Sequence, residues 1–150
     1  MLGDHGIQQF DDRFLLFRRE AFNHLHSSGV DKKCVEDYLK NHPTPGSPNP
    51  ATPEGTPNDA SPNWAAPFKS SPVKSYTMTS NGSPVVVNVT LPGHPLFPGY
   101  VARDVNGGVV NNFGEGTGWL QGPNSPFADP INNVWYGLTD DAIKACSCQQ

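Results

Sequence analysis

Length, composition and charge allow one small domain and exclude several kinds of protein. The chain has 150 residues, 15 glycines, 16 prolines and a formal net charge of −4. It holds no run of 18 apolar residues, so we expect no membrane-spanning helix. Its acidic balance counts against a nucleic-acid-binding surface, which typically has clustered lysines and arginines.

The first 42 residues predict a helical leader made of two helices. Apolar residues recur at three- and four-residue spacing over 7–26 and predict one amphipathic helix there: Ile7, Phe10, Phe14, Phe17, Ala21 and Leu25. Ser27-Ser-Gly29 ends that helix, since glycine tolerates the left-handed turn that follows a helix. A second helix is expected from Asp31, which caps its first turn, to Asn41, just before Pro43.

Proline dominates the next segment. Nine of the 16 prolines fall within residues 43–72. Such a stretch lacks the apolar residues that would offset the entropy of ordering, and each proline removes a backbone donor. We therefore predict a disordered linker of polyproline character over 43–72.

From residue 73 the pattern changes to strands. Residues 73–79 and 84–91 flank the Asn81-Gly82 turn, a strong hairpin signal. In the second arm Val85, Val87, Val89 and Leu91 share one face, and Asn88 and Thr90 share the other, which is typical of a half-buried strand.

The rest of the chain predicts further strands and a short helix. A second hairpin joins 100–105 to 109–113, and short strands are expected over 119–121 and 132–138. Thr139 then caps a brief terminal helix. The predicted fold class is α+β: a helical N-terminal segment, a Pro-rich linker, and a small twisted antiparallel sheet of five or six strands over 73–150, with a short C-terminal helix.

The three cysteines, Cys34, Cys146 and Cys148, are too few and too badly placed to predict a disulfide framework. Cys146 and Cys148 could ligate a soft metal, but no second cluster of Cys or His completes such a site. We therefore interpret both as incidental residues of the tail. We predict neither a metal nor another cofactor.

Three ionisable residues stand out in a half of the chain that is otherwise poor in charge. His94 lies in the proline-fixed loop Pro92-Gly-His-Pro-Leu-Phe-Pro-Gly99, Arg103 lies between strand valines, and Glu115 lies in Gly114-Glu-Gly-Thr-Gly118. A loop fixed by prolines holds a histidine with little entropy to lose, which suits general acid–base chemistry. An arginine between valines meets an anion or emerges at a strand end. The alternative is an ion pair between Arg103 and Glu115 that joins two adjacent strands.

Together these groups suit the cleavage of RNA without a metal. His94 and Glu115 would share the proton transfers, Arg103 would stabilise the phosphorane, and Thr117 adds a hydroxyl. We assign Tyr100 and Trp119 to substrate binding. The hypothesis requires His94, Arg103 and Glu115 to converge in space.

The whole chain resembles the C-terminal toxin region of a bacterial polymorphic toxin of the contact-dependent inhibition or Rhs type. A short helical leader, a Pro-rich joint and a compact terminal module carry the resemblance, with Pro-Gly-His94-Pro, Val101-Ala-Arg103 and Gly-Glu115-Gly-Thr117-Gly in that module. Many such regions are RNases of the barnase/EndoU/colicin/RelE group, built on a twisted antiparallel sheet with helices on one side. The resemblance implies RNA or tRNA cleavage in the cytoplasm of a target cell, delivery by the producing bacterium, a cognate immunity protein, and a free monomer.

The alternative is a binding module without catalysis. Aromatic and amide side chains could form a surface for a carbohydrate or a peptide: Trp119, Trp135, Tyr136, Asn111, Asn112, Asn132 and Asn133.

Overall fold

A computed structural model describes residues 14–21, 30–45, 49–61, 70–106, 109–116 and 128–147, with the backbone alone for 14–21 and 128–132. These residues form six strands and two helices. In chain order they are β1 (Phe14–Ala21), α1 (Lys32–Asn41), β2 (Thr56–Asp59), β3 (Pro72–Ser80), β4 (Ser83–Thr90), β5 (Gly99–Asn106), β6 (Val109–Gly116) and α2 (Ala128–Ser147). No helix in these ranges is long and apolar enough to cross a membrane.

All six strands belong to one antiparallel sheet in the order β1-β6-β5-β4-β3-β2. The β3–β4 hairpin turns at Asn81 (φ 50°) and Gly82 (φ 79°), the backbone of a two-residue type I′ turn. The second hairpin pairs β5 with β6 from Gly99–Gly116 to Asn106–Val109. The predicted α+β fold, with its small antiparallel sheet and C-terminal helix, is confirmed.

Helix α1 forms where the sequence predicts it. Asp31 caps it by accepting a hydrogen bond from the backbone N–H of Lys33, and the helix runs to Asn41 before Pro43. Val35 and Leu39, four residues apart, are buried on one side. This spacing places both on the helix face that packs on the sheet.

Both helices pack on the same face of the sheet. Their buried side chains form one cluster with strand valines from β4, β5 and β6: Val35, Leu39, Ala142 and Cys146 with Val86, Val105 and Val110. We call this face the helix-covered face. The opposite, outer face carries Val85, Val87 and Val89, which are half-buried. The buried side of β4 is therefore Val86 and Asn88, not the more regular valine row.

The first predicted helix is wrong where the structure describes it. Phe14–Ala21 is a strand that pairs with β6, and the rest of the 7–26 prediction lies outside the described residues. The sequence holds four consecutive apolar residues at 14–17, and such a run fits a strand as well as a helix. Pairing with β1 supplies the hydrogen bonds that β6 would otherwise lack at the edge of the sheet.

The predicted strand over 132–138 is also wrong, because these residues belong to the 20-residue helix α2. Trp135, Leu138, Ala142 and Cys146 recur at three- and four-residue spacing, and each packs in a core cluster. This long helical pattern outweighs the local β propensity of Val134, Trp135 and Tyr136. The expected strand over 119–121 lies outside the described residues.

Part of the predicted linker belongs to the fold. Within 43–72, residues 56–59 form β2, which pairs with β3, and Ala51 is fully buried in the core. Asn88 of β4 donates a side-chain hydrogen bond to the carbonyl of Pro43. Residues 49–61 are thus ordered against the sheet, which corrects the expectation of disorder there.

A disulfide joins Cys34 of α1 to Cys146 of α2. The interpretation of Cys146 as an incidental tail residue is therefore wrong. The two cysteines are 112 residues apart in sequence, and only the packing of both helices on one face brings their Cα atoms to 5.8 Å. Sequence spacing alone contains no sign of this meeting.

Candidate functional site

Arg103 is the most deeply buried charged side chain among the described residues, with 1% of its surface exposed. It lies in β5 on the helix-covered face. Its Nε donates to Asn112 Oδ1 at 2.7 Å and its Nη2 to Thr139 Oγ1 at 3.3 Å. The guanidinium carbon lies 5.3 Å from the centre of the Trp135 ring, a cation–π contact. These contacts hold Arg103 as part of the framework between β6 and α2.

Burial changes the electrostatics of Arg103. Loss of hydration lowers its pKa from 12.5 to about 10, and the Tyr38 side chain opposes this shift. Arg103 therefore remains charged at neutral pH. Among the described residues, no carboxylate pairs with it, and its Nη1 has no hydrogen-bond partner. The partners of this cation are neutral side chains.

Glu115 lies on the outer face, opposite Arg103. Tyr100 pairs with Glu115 across the strands and Arg103 pairs with Asn112, so the two pairs are three residues apart and point to opposite faces. Glu115 is 6% exposed, and its Oε2 accepts a hydrogen bond from the Tyr100 hydroxyl at 3.2 Å. The alternative of an Arg103–Glu115 ion pair is therefore wrong.

His94 lies in the loop between β4 and β5. Its Nδ1 accepts a hydrogen bond from the Leu96 N–H at 2.9 Å, so the proton of the neutral ring is on Nε2. Burial lowers the pKa of His94 to about 4, although the nearby Asp59 carboxylate raises it. His94 is thus neutral at pH 7 and presents an N–H donor.

The three predicted catalytic residues do not converge. His94 lies in the loop that joins β4 to β5, and Glu115 lies on the outer face of β6. Arg103 lies on the other face of the sheet. The sequence could not reveal this, because it does not give the strand order or the register.

A different set of polar residues does line up on the outer face. Lys74 pairs with Val89, Val89 with Tyr100, and Tyr100 with Glu115. This register places a cation, a phenol and a carboxylate in one row across β3, β4, β5 and β6. We call it the cross-strand row. Nothing local in the sequence marks Lys74, because its place in the row follows from the pairing of β3 with β4.

Aromatic rings lie beside the cross-strand row. Tyr76 pairs with Val87, Val87 with Ala102, and Ala102 with Phe113 in the next row of the outer face. The Phe113 ring is 6.3 Å from that of Tyr100, and the Lys74 amine is 5.7 Å from the centre of the Tyr76 ring. Tyr76, Tyr100 and Phe113 are half-buried, so part of each ring is exposed.

The remaining predicted site residues are dispersed or lie outside the described ranges. Thr117 and Trp119 are among the latter. Of the proposed aromatic and amide surface, Trp135 and Asn112 are buried on the helix-covered face, whereas Asn111 is on the outer face and donates to Asp104 at 2.9 Å. That surface is therefore not assembled as predicted. No group of three or more metal-ligating side chains occurs among the described residues.

Comparison with known proteins adds no relative to this description. No protein-family model, curated protein or solved structure matches the chain. The fold and the two faces therefore define its class: an antiparallel sheet with two described helices on one face, and a row of polar and aromatic side chains on the other.

Proposed function

We propose that the chain is an RNA-cleaving domain of the bacterial toxin type, and that its chemistry takes place on the outer face of the sheet. The observation that carries this proposal is the cross-strand row, in which the Tyr100 hydroxyl is 3.2 Å from Glu115 Oε2 and Lys74 lies two strands from Tyr100. A base, a proton donor and a cation are what the cleavage of RNA without a metal requires.

The Glu115–Tyr100 pair provides a balanced proton transfer. Glu115 removes the proton from a ribose 2′-hydroxyl, and the 2′ oxygen forms a bond to the adjacent phosphorus. The bond from phosphorus to the 5′ oxygen breaks, and that oxygen takes a proton from Tyr100. Glu115 then returns its proton to Tyr100 through their hydrogen bond. The products are a 2′,3′-cyclic phosphate and a 5′-hydroxyl.

The neighbouring groups suit a short stretch of single-stranded RNA. Unstacked bases bind on aromatic rings, and Tyr76 and Phe113 lie in the row next to Tyr100. Lys74 would lie over a phosphate. Because the chain carries a net charge of −4, we expect contacts with few phosphates and a weak dependence of binding on salt.

The architecture supports the toxin resemblance in a general way. Its RNase group has an antiparallel sheet with helices on one side, as this chain has. The disulfide suits a protein that passes through an oxidising environment on its way to a target cell. Delivery by the producing bacterium and inhibition by a cognate immunity protein belong to the same proposal.

Cleavage of RNA by Glu115→Gln in the presence of EDTA tests the proposal. Loss of a general base lowers the rate by about 10²–10⁴-fold. Asp104→Asn is the matched control, because Asp104 is a carboxylate on the same face of β5 that bonds only to Asn111 among the described residues. We expect the control to retain its rate.

Two results would contradict this proposal. One is a wild-type protein that leaves single-stranded RNA and tRNA intact and is harmless when expressed in bacteria without a companion gene. The other is a Glu115→Gln variant as active as Asp104→Asn. Binding of RNA without cleavage would instead favour a binding module.

A further inference from the structure

A cavity opens between α1 and the end of α2, beside the disulfide. Its volume is about 370 Å³, within the range of small-molecule sites. Cys34 and Tyr38, four residues apart on α1, line it together with Ala145, the residue before Cys146 on α2. The rest of the wall includes exposed polar side chains: Asp31, Lys33 and Asn41. The cavity is therefore open to solvent on the side of α1.

The two cysteines of the disulfide differ in their exposure. Cys34 is half-buried and lines the cavity, whereas Cys146 is 3% exposed and belongs to the core cluster beneath the helices. Exchange of a disulfide begins when a thiolate attacks one of its sulfurs, and access decides which sulfur is attacked. A small thiol that enters the cavity therefore meets Cys34 and not Cys146.

We propose that Cys34 is a modification site, at which a small thiol of the glutathione class is attached by thiol–disulfide exchange. The thiolate of the small molecule forms a bond to Cys34 Sγ, the bond between Cys34 and Cys146 breaks, and Cys146 leaves as a thiolate that takes a proton from water. A second small thiol then displaces Cys34 as a free thiol and forms the oxidised dimer with the first. The two small thiols supply the electrons that reduce the disulfide.

Exchange at Cys34 removes the covalent link between the two helices. The stability of the fold falls as a result, because the disulfide joins residues that are 112 positions apart in sequence. Under the delivery proposed above, the link persists in an oxidising environment and is lost in a cytoplasm that contains reduced glutathione. The site itself does not depend on RNA cleavage, since the cross-strand row is on the other face of the sheet.

A matched pair of single-cysteine variants tests this inference. Cys146→Ser keeps Cys34 and Cys34→Ser keeps Cys146, and both are made together with Cys148→Ser, so that each protein has one thiol and neither has the disulfide. Oxidised glutathione converts the remaining thiol to a mixed disulfide and releases one reduced glutathione. We expect the protein that keeps Cys34 to react at least about tenfold faster, because Cys146 lies in the core. Mass spectrometry measures the rate of attachment.

Reduction of the wild-type disulfide by glutathione gives a second measurement, which decides alone if melting temperatures show the variants to be unfolded. Its rate should not change in urea below the unfolding transition, because the thiol reaches Cys34 in the folded chain. Two results would overturn the inference. One is a pair of folded variants in which Cys146 reacts as fast as Cys34 or faster, and the other is a wild-type rate that rises from the first addition of urea. RNA cleavage is not the readout, so failure of this site and failure of the proposed function give different results.

Discussion

The two faces of the sheet differ in how many of their polar side chains are buried. On the helix-covered face, polar side chains are buried and bonded to each other: Arg103 to Asn112 and Thr139, and Ser75 to Asn88 at 2.6 Å. On the outer face Glu115 is buried, but Lys74 and Tyr100 are half-buried beside exposed parts of aromatic rings. A conspicuous charge in a strand can therefore belong to the framework, while the groups to which we assign the proposed chemistry are on the other side.

The Ser75–Asn88 pair shows the same principle beyond Arg103. Asn58 donates to Ser75, Ser75 to Asn88, and Asn88 to the Pro43 carbonyl. This chain of hydrogen bonds crosses β2, β3 and β4 and fastens the segment that follows α1. Buried networks of this kind rigidify a fold when every member is satisfied.

The largest expected effect comes from removing the disulfide that joins α1 to α2. Cys34→Ser should lower the free energy of unfolding by about 4–5 kcal/mol, because the disulfide closes a loop of 112 residues. Chemical denaturation under non-reducing conditions measures it. Cys148→Ser is the control, and its free energy of unfolding should match that of the wild type. If Cys34→Ser were also as stable as the wild type, the packing of the two helices on the sheet would not depend on the disulfide.

Arg103→Ala is expected to cost about 3–4 kcal/mol, since it leaves a cavity and removes the donor to Asn112 Oδ1. Lys74→Ala on the outer face should change stability by less than about 0.5 kcal/mol. Urea unfolding of both variants compares the two faces directly. Similar losses of stability in the two variants would contradict the proposed difference between the two faces.

The pH dependence of stability tests the burial of His94. Its folded pKa of about 4 lies below the usual 6.5, so between these values the unfolded chain binds a proton that the folded chain does not. Stability is therefore lost as pH falls from 6.5 to 4, by about 2–3 kcal/mol. The stability difference between wild type and His94→Gln should shrink or reverse over this range. A constant difference would mean that His94 is not buried as described.

The sequence predicts local features far better than distant ones. Three local features form as expected, because each depends on a few adjacent residues: the Asn81-Gly82 turn, the Asp31 cap and the β5–β6 hairpin. The pairing of β1 with β6 depends on contacts nearly a hundred residues apart, and no local pattern reports it. The disulfide could not be predicted for the same reason, because its cysteines are 112 residues apart in sequence.

The site predicted from sequence is wrong for the same reason. His94, Arg103 and Glu115 are each unusual in sequence, but their faces and strands are set by register. Tyr100 and Glu115 were both selected from sequence, and the register makes them partners. Lys74 joins them only once β3 is placed beside β4.

The rate of RNA cleavage by Tyr100→Phe, measured beside its melting temperature, tests the central claim most directly. This substitution removes one hydroxyl from the half-buried ring and leaves the helix-covered face untouched. We predict a fall in rate of at least about 10²-fold with a nearly unchanged melting temperature. A Tyr100→Phe protein that cleaves RNA at the wild-type rate would contradict the assignment of the chemistry to the outer face.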